Sequence, residues 1–223
     1  MSPEPSDRHS QDTKTALLDA AEKLFAHSGI AQSSLRSITT GAKANLASVN
    51  YHFGSKEGLV RAVFARRLHP LNQQRLDLLA RCARDDREIP DLQCLLRAFV
   101  EPAVTMISSD DTGDREFAKL LGRMLFEPSN DLRALIMDEF REVSEQFTAE
   151  LSRVFPAASQ QEIVWRFHFM VGSLAHTVAG RYMISHRLEC LQLTEDEDVE
   201  TLINRLVGFL QTGWLGIEGE AMP

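Results

Sequence analysis

The run Ser33–Lys56, SSLRSITTGAKANLASVNYHFGSK, interleaves small polar side chains, amides, two ring donors and three cations. Ser48 can donate or accept at a base edge, Asn50 can pair with adenine, and the Ala47 methyl can meet that of thymine. Tyr51 and His52 carry donors suited to phosphate oxygens. Lys56, at the start of a helix, adds a full charge to a dipole that already favours anions. Arg36 is placed to reach a phosphate or a guanine, Lys43 can add a phosphate contact, and Asn45 and Leu46 lead into the same outward face. The chemistry available to this group is recognition of double-stranded DNA.

Such side chains need elements that present them together. Ser33 and Ser34 offer an N-cap to a short helix with Leu35 and Ile38 inward, and Gly41–Ala44 makes a turn. Asn45 then caps a second short helix, Leu46–Phe53, whose inward residues are Val49 and Phe53. Two short helices joined by a four-residue turn are the helix-turn-helix geometry, in which the second helix enters the major groove. Ahead of them a helix is expected over Asp12–Ser28, with Leu17, Leu18, Ala21, Leu24 and Phe25 on one face and Gly29 as its C-cap. Ser55 caps a long helix opening at Lys56, with Leu59, Val60, Val63 and Phe64 inward, which Pro70 should kink or end. Downstream the spacing predicts helices near 90–108, 114–126, 129–154, 159–187 and 195–214. Ser159-x-x-Glu162 and Thr194-x-x-Glu197 read as capping boxes at two of their starts. Asp110–Asp114 is the most loop-like stretch, and residues 1–9 read as a disordered arm.

Composition sets the class. Hydrophobic residues make up 43% of the 223, enough to fill a core, and strand-like alternation is scarce, so the chain reads as all-α. The net charge of −8 is uneven. Residues 1–70 hold nine Lys and Arg against six Asp and Glu, a balance of +3, whereas residues 71–223 hold fifteen against twenty-six, a balance of −11. Because phosphate attraction is short-ranged at cellular salt, the local sign governs where DNA binds. Cys82, Cys94 and Cys190 are far apart and odd in number, without CxxC or CxxxH spacing, so neither a disulfide framework nor a zinc site is expected. A redox role for Cys82 or Cys94 is disfavoured for want of a neighbouring resolving thiol. His168 and His176 share a helix, but no HExxH, Glu-x-x-His or nucleophile elbow accompanies them, so no catalytic centre, metal or cofactor is expected. With no apolar leader and no stretch approaching 18 apolar residues, a soluble cytoplasmic protein without membrane contact is expected.

Three segments, AAEKLFAHSGI, SLRSIT and NLASVNYHFGSKEGLV, resemble the tetracycline-repressor (TetR) family. One departure is Lys43, which stands where the family turn usually has glycine and where a positive φ is expected. The resemblance implies a helix-turn-helix domain at 10–56 after the arm at 1–9, and a ligand-binding and dimerisation domain at 57–223. It further implies a homodimer on a palindromic operator, acting as a repressor that a small effector releases. Consistent with this, helix 159–187 has a small-residue face of Gly172, Ala175, Ala179 and Gly180. Helix 195–214 has Val199, Leu202, Ile203, Leu206, Val207, Phe209 and Leu210, so the two are expected to form the dimer interface.

For the effector, Phe99, Met106, Leu120, Met124, Phe140, Phe147, Phe167, Met170 and Leu174 fall on inward helix faces and suit an adaptable apolar cavity. Arg123, Arg166 or His168 could receive a polar head. NLASVNYHFGSK and WRFHFMVGS are similar to the branch responding to fatty acids or acyl-CoA thioesters; control of drug efflux or of aromatic-compound metabolism is the alternative.

Overall fold

The computed structural model describes residues 5–84, 89–108, 111–126, 130–190 and 198–216. Among them the regular elements are helices alone: α1 (Pro5–Ser28), α2 (Leu35–Gly41), α3 (Leu46–Phe53), α4 (Lys56–Arg84), α5 (Leu92–Ile107), α6 (Thr112–Phe126), α7 (Asn130–Val154), α8 (Gln160–Cys190) and α9 (Val199–Leu215). The all-α expectation therefore holds. None of these helices is long and apolar enough to cross a membrane.

The chain divides into two compact units, Met1–His69 with Asp110–Ile136, and Pro70–Ser109 with Met137–Pro223. This division falls inside α4, whose Leu59, Val60, Val63, Phe64 and Leu68 are buried in the first unit.

In the first unit, Leu17, Leu18, Ala21 and Phe25 follow the helical repeat and bury one face of α1. α2, α3 and α6 all pack against α1. α6 contributes Phe117, which meets the Phe64 ring edge-on at 5.7 Å. Glu22, buried to 2% exposure, sits between the guanidinium groups of Arg66 and Arg67, the latter at 3.0 Å. Burial alone would lower the pKa of Arg66, but hydrogen bonds to Asp19 and Glu22 raise it, so Arg66 stays a cation.

In the second unit, α5 packs on α8 and α9, and α8 on α9. α5 packs most extensively on α9, and Leu95, Leu96 and Val100 of α5 and Ile203, Leu206, Val207 and Leu210 of α9 are all buried. Phe155 stacks on Trp214 at 5.6 Å. On the surface Arg97 reaches Glu200 at 2.6 Å and Asn204 at 3.0 Å, tying α5 to α9.

Several expectations change. Residues 5–9, placed in a disordered arm, belong to α1; Pro5 suits a first helical turn, where its missing N–H has no partner to lose. Pro70 does not end α4, which continues to Arg84. Its exposed ring faces solvent, and the carbonyl it leaves without a helical donor can be hydrated. The acidic loop is shorter than expected: Asp111 Oδ1 accepts from the backbone N–H groups of Gly113 and Asp114 and starts α6 at Thr112. Ser159 accepts the Glu162 N–H at 3.1 Å, but the Glu162 carboxylate turns to Arg166, so only half of that capping box forms. Thr194 and Glu197 lie outside the described residues; Asp198 is the N-cap of α9, accepting from the Thr201 N–H at 2.7 Å. The largest correction concerns the thiols. Cys82 and Cys94 are joined by a disulfide, their Cα atoms 5.8 Å apart, while Cys190 is free and exposed. Twelve residues separate them in sequence, but the end of α4 and the start of α5 lie side by side, which spacing along the chain does not show.

Candidate nucleic-acid interface and ligand-binding core

α3 is an eight-residue helix held from both ends. Asn45 Oδ1 accepts from the Ser48 N–H at 2.8 Å and from the Ser48 hydroxyl at 2.9 Å, fixing its start. Val49, fully buried, pins its underside against the first unit's core. Gly54 closes it with φ 74, a backbone that side chains resist, and its N–H bonds the Asn50 carbonyl. Gly58 then allows α4 to start directly behind: a Cβ there would stand 1.9 Å from the Phe53 carbonyl oxygen. The turn before α3 contains Lys43 at φ 52, so the positive φ expected at this position is present, in a lysine.

These constraints leave one face outward. Ala47 and Asn50 are exposed, as are Arg36, Lys43 and Asn45, while Ser48, His52 and Lys56 are half-buried. Leu46 is 52% and Tyr51 80% exposed, large apolar surface for a folded chain to leave in water. The Tyr51 and His52 rings meet edge-on at 4.9 Å, so His52 steadies the aromatic beside it. Lys56 Nζ lies 3.5 Å from the Ala31 carbonyl. Between Ser33 and Lys56 the chain has Arg36, Lys43 and Lys56 and no carboxylate. A short helix with small, exposed, hydrogen-bonding residues, flanked by cations and free of acids, matches the shape and charge of a duplex groove. Thr40, exposed at the end of α2, shares this surface and was not anticipated; its hydroxyl bonds the Arg36 carbonyl.

The described residues expected to line a ligand cavity are divided between the two units. Phe99, Phe147 and Phe167 do converge, with Phe99 centred between the other two at 5.3 and 5.4 Å. Met170 and Leu174 are buried on α8 in the same unit, and Met106 and Phe140 are half-buried. Leu120 is buried in the first unit, on α6. The side chains of Arg123 and Met124 lie outside the described residues. His168 is exposed and rests against Trp165, and Arg166 is engaged by Glu162 and the Gly213 carbonyl. An open cleft of about 280 Å³ lies between α4 and α5, lined by Gln74, Asp77, Leu78, Arg81, Glu101, Pro102 and Thr105, and includes none of the expected residues.

Sequence reasoning missed Arg75. Only 2% exposed on α4, it donates from Nε to the Phe99 carbonyl at 2.9 Å and from Nη1 to Asn72 Oδ1 at 3.3 Å. Its guanidinium lies over the Phe99 ring at 4.2 Å and near that of Phe140 at 5.6 Å. Burial pushes it down to about 9, so it remains a cation at neutral pH. No carboxylate among the described residues pairs with it. The signal available in sequence was an arginine in the otherwise inward register Leu68, Leu71, Asn72, Leu79 of α4.

Comparison with known proteins agrees with this arrangement. Residues 17–63 match the family described as bacterial regulatory proteins, tetR family, and residues 97–213 match the tetracyclin repressor-like C-terminal domain. The HTH-type transcriptional regulator TtgR of Pseudomonas putida is 29% identical over 91 residues, a match spanning 41% of each chain. Among solved structures, the transcriptional regulator FadR of Bacillus subtilis, in complex with stearoyl-CoA, superimposes with a TM-score of 0.67 at 15% identity, over 89% of this chain and 98% of its own. The SmeT–triclosan complex gives 0.64 at 19% identity over 90% of each chain. With its reader at the N-terminus and its C-terminal domain matched over more than half its length, the chain belongs to the TetR family of DNA-binding transcription regulators.

Proposed function

We propose that this regulator is a homodimeric repressor whose α3 reads a palindromic operator and which an acidic, largely apolar small molecule releases. Ser48 and Asn50 read base edges with Ala47, while Arg36, Lys43, Tyr51, His52 and Lys56 hold phosphates. The observation carrying the effector class is Arg75: a buried cation without a carboxylate partner among the described residues, beside the interlocked rings of Phe99, Phe147 and Phe167. A carboxylate head offsets the cost of burying that charge, and an apolar body replaces ring-to-ring contacts. Fatty acids meet both demands, and the FadR structure, described with stearoyl-CoA, gives this reading support. A second reading is an aromatic compound, favoured by the edge-to-face rings around Phe99 and by the likeness to a triclosan complex.

Two copies would meet through α8 and α9. Val164, Trp165 and Phe169 of α8 and Phe209 of α9 are exposed by 52%, 51%, 59% and 68%. A Cβ added at Gly172 or Gly208 would meet nothing within 4 Å, leaving room for close helix approach. Ile203, Leu206, Val207 and Leu210, expected at this interface, are buried within the chain itself, because they face α5.

The effector reading is tested by release of a labelled operator duplex during titration with carboxylic acids of increasing chain length, their methyl esters, and aromatic acids and phenols. Each buried methylene contributes about 0.8 kcal/mol, so potency should climb roughly fourfold per carbon until the site is full. Acids should act at lower concentration than their esters. Equal potency of acid and ester removes Arg75 from recognition, and release by phenols alone selects the aromatic reading.

A further inference from the structure

A DNA-binding regulator works where chromosomal DNA lies, in a compartment whose thiol pool is reducing. Disulfides are rare there, and those that form are usually transient and redox-active. The Cys82–Cys94 bond stands out against that background. It joins the end of α4 to the start of α5, next to buried Leu79 and Leu92 in sequence.

The two sulfurs occupy different electrostatic environments. Cys94 lies in the first turn of α5, where the aligned peptide dipoles favour a thiolate and offset the charge of the Asp91 cap, which accepts its N–H at 3.1 Å. It is also half-buried, so a small reagent can approach it. Cys82 lies in the last turn of α4, is 7% exposed, and faces the dipole end that disfavours a negative sulfur. Cys94 is thus the attacking thiol and Cys82 the resolving one. We propose that Cys82 and Cys94 form a second input site of this regulator, one that reacts with hydroperoxides and lowers DNA affinity when oxidised.

The chemistry balances on two electrons. The Cys94 thiolate attacks the terminal oxygen of a hydroperoxide; the O–O bond breaks, the sulfur becomes a sulfenic acid, and the alkoxide leaves as the alcohol after taking up a proton. The Cys82 thiol then attacks the sulfenic sulfur, the S–S bond forms, and water departs. Two thiol equivalents from a dithiol or glutathione reverse the process by exchange. The result reaches the reader through one element. α4 runs without a break from Lys56, just behind α3, to the turn bearing Cys82, a rise of about 40 Å. A covalent tie at its far end restricts where that helix can settle against α5, and thereby the poses open to α3. In a reducing compartment the dithiol is the resting state, and a resting repressor occupies its operator; oxidation is the signal for release. This inference rests on DNA binding alone and is independent of the effector.

The test uses the full chain with Cys190→Ser, which removes the exposed third thiol. A duplex selected from a random library by the dithiol form serves as probe. Binding is titrated for the dithiol form, after hydrogen peroxide, and after subsequent dithiothreitol, with intact mass recorded at each step. The expected result is loss of two hydrogens on oxidation, affinity weakened about tenfold, and recovery of both on reduction. Cys94→Ser should bind like the dithiol form and ignore peroxide, whereas Cys82→Ala should gain oxygen at Cys94 without joining the two helices. Equal affinity of the two wild-type forms would overturn the proposal, whatever the variants do. So would a bond that glutathione fails to open, or thiols that peroxide fails to join.

Discussion

Lys56 and Arg75 are both cations on α4, and their surroundings assign them opposite roles. Lys56 is half-buried at the helix start with its Nζ near the Ala31 carbonyl, free to exchange that weak contact for a phosphate. Lys56→Ala should therefore flatten the dependence of log affinity on log salt by about 0.9, one phosphate's share, on operator and random duplex alike. An anisotropy titration at several salt concentrations reads this directly, and an unchanged slope would remove Lys56 from the interface. Arg75 is charged and shut away from water, and burial depresses its folded pKa to about 9. A cation with a depressed folded pKa destabilises the fold at every pH below that value, and the cost fades only as pH rises through it. Arg75→Met should accordingly leave thermal stability at neutral pH unchanged or raised, while acids lose their advantage over esters as effectors. A loss of several kcal/mol, measured by urea unfolding, would mean instead that its bonds to the Phe99 carbonyl and Asn72 hold the unit together. The capping and exposure of α3 were legible in the residues themselves, since Asn45 holds Ser48 and Asn50 faces outward through local geometry. Arg75 was not, because its meaning depends on Phe99 and Phe140, 24 and 65 positions away.

Elements were legible where the signals are local and hidden where they are not. Asn45, Ser34 and Gly29 begin or end helices as their types predict, and Val49 and Ile38 turn inward on the expected spacing. Pro70 misleads because its effect depends on which side of α4 faces solvent. The Cys82–Cys94 bond misleads because only folding juxtaposes two helix ends. Gly58 is a similar case: nothing around it in sequence marks it, yet only a missing side chain allows α4 to begin so near the Phe53 carbonyl. Gly58→Ala should open the α3–α4 turn, costing about 1–3 kcal/mol of stability. It should also weaken operator binding more than Lys56→Ala does, because all of α3 is displaced. Chemical denaturation followed by a gel shift checks both, and wild-type values in the two assays would show that the turn adapts.

At the scale of the whole molecule, recognition depends on symmetry as much as on side chains. In the proposed function one α3 would cover one half-site, and a two-fold dimer would present two, about 34–36 Å apart along the duplex. The exposed strip on α8 and α9 is the surface expected to set that spacing. Phe169→Asp combined with Phe209→Asp should give a folded monomer by light scattering with helicity retained, and a wild-type dimer would place the interface elsewhere. The candidate ligand residues illustrate what sequence withholds at this scale. Periodicity marked Phe99, Phe147, Phe167 and Leu120 alike as inward, and all four are buried, Leu120 in the first unit and the three rings in the second. The central claim, that α3 reads a symmetric operator, is tested most directly by selecting bound duplexes from a random library with the wild-type chain and with Asn50→Ala. The wild type should enrich a two-fold-symmetric motif with half-sites one helical turn apart. Asn50→Ala should lose preference at one position in each half-site, at a cost of about 1–3 kcal/mol there. No enriched symmetric motif, or the same motif at full strength from Asn50→Ala, would contradict it.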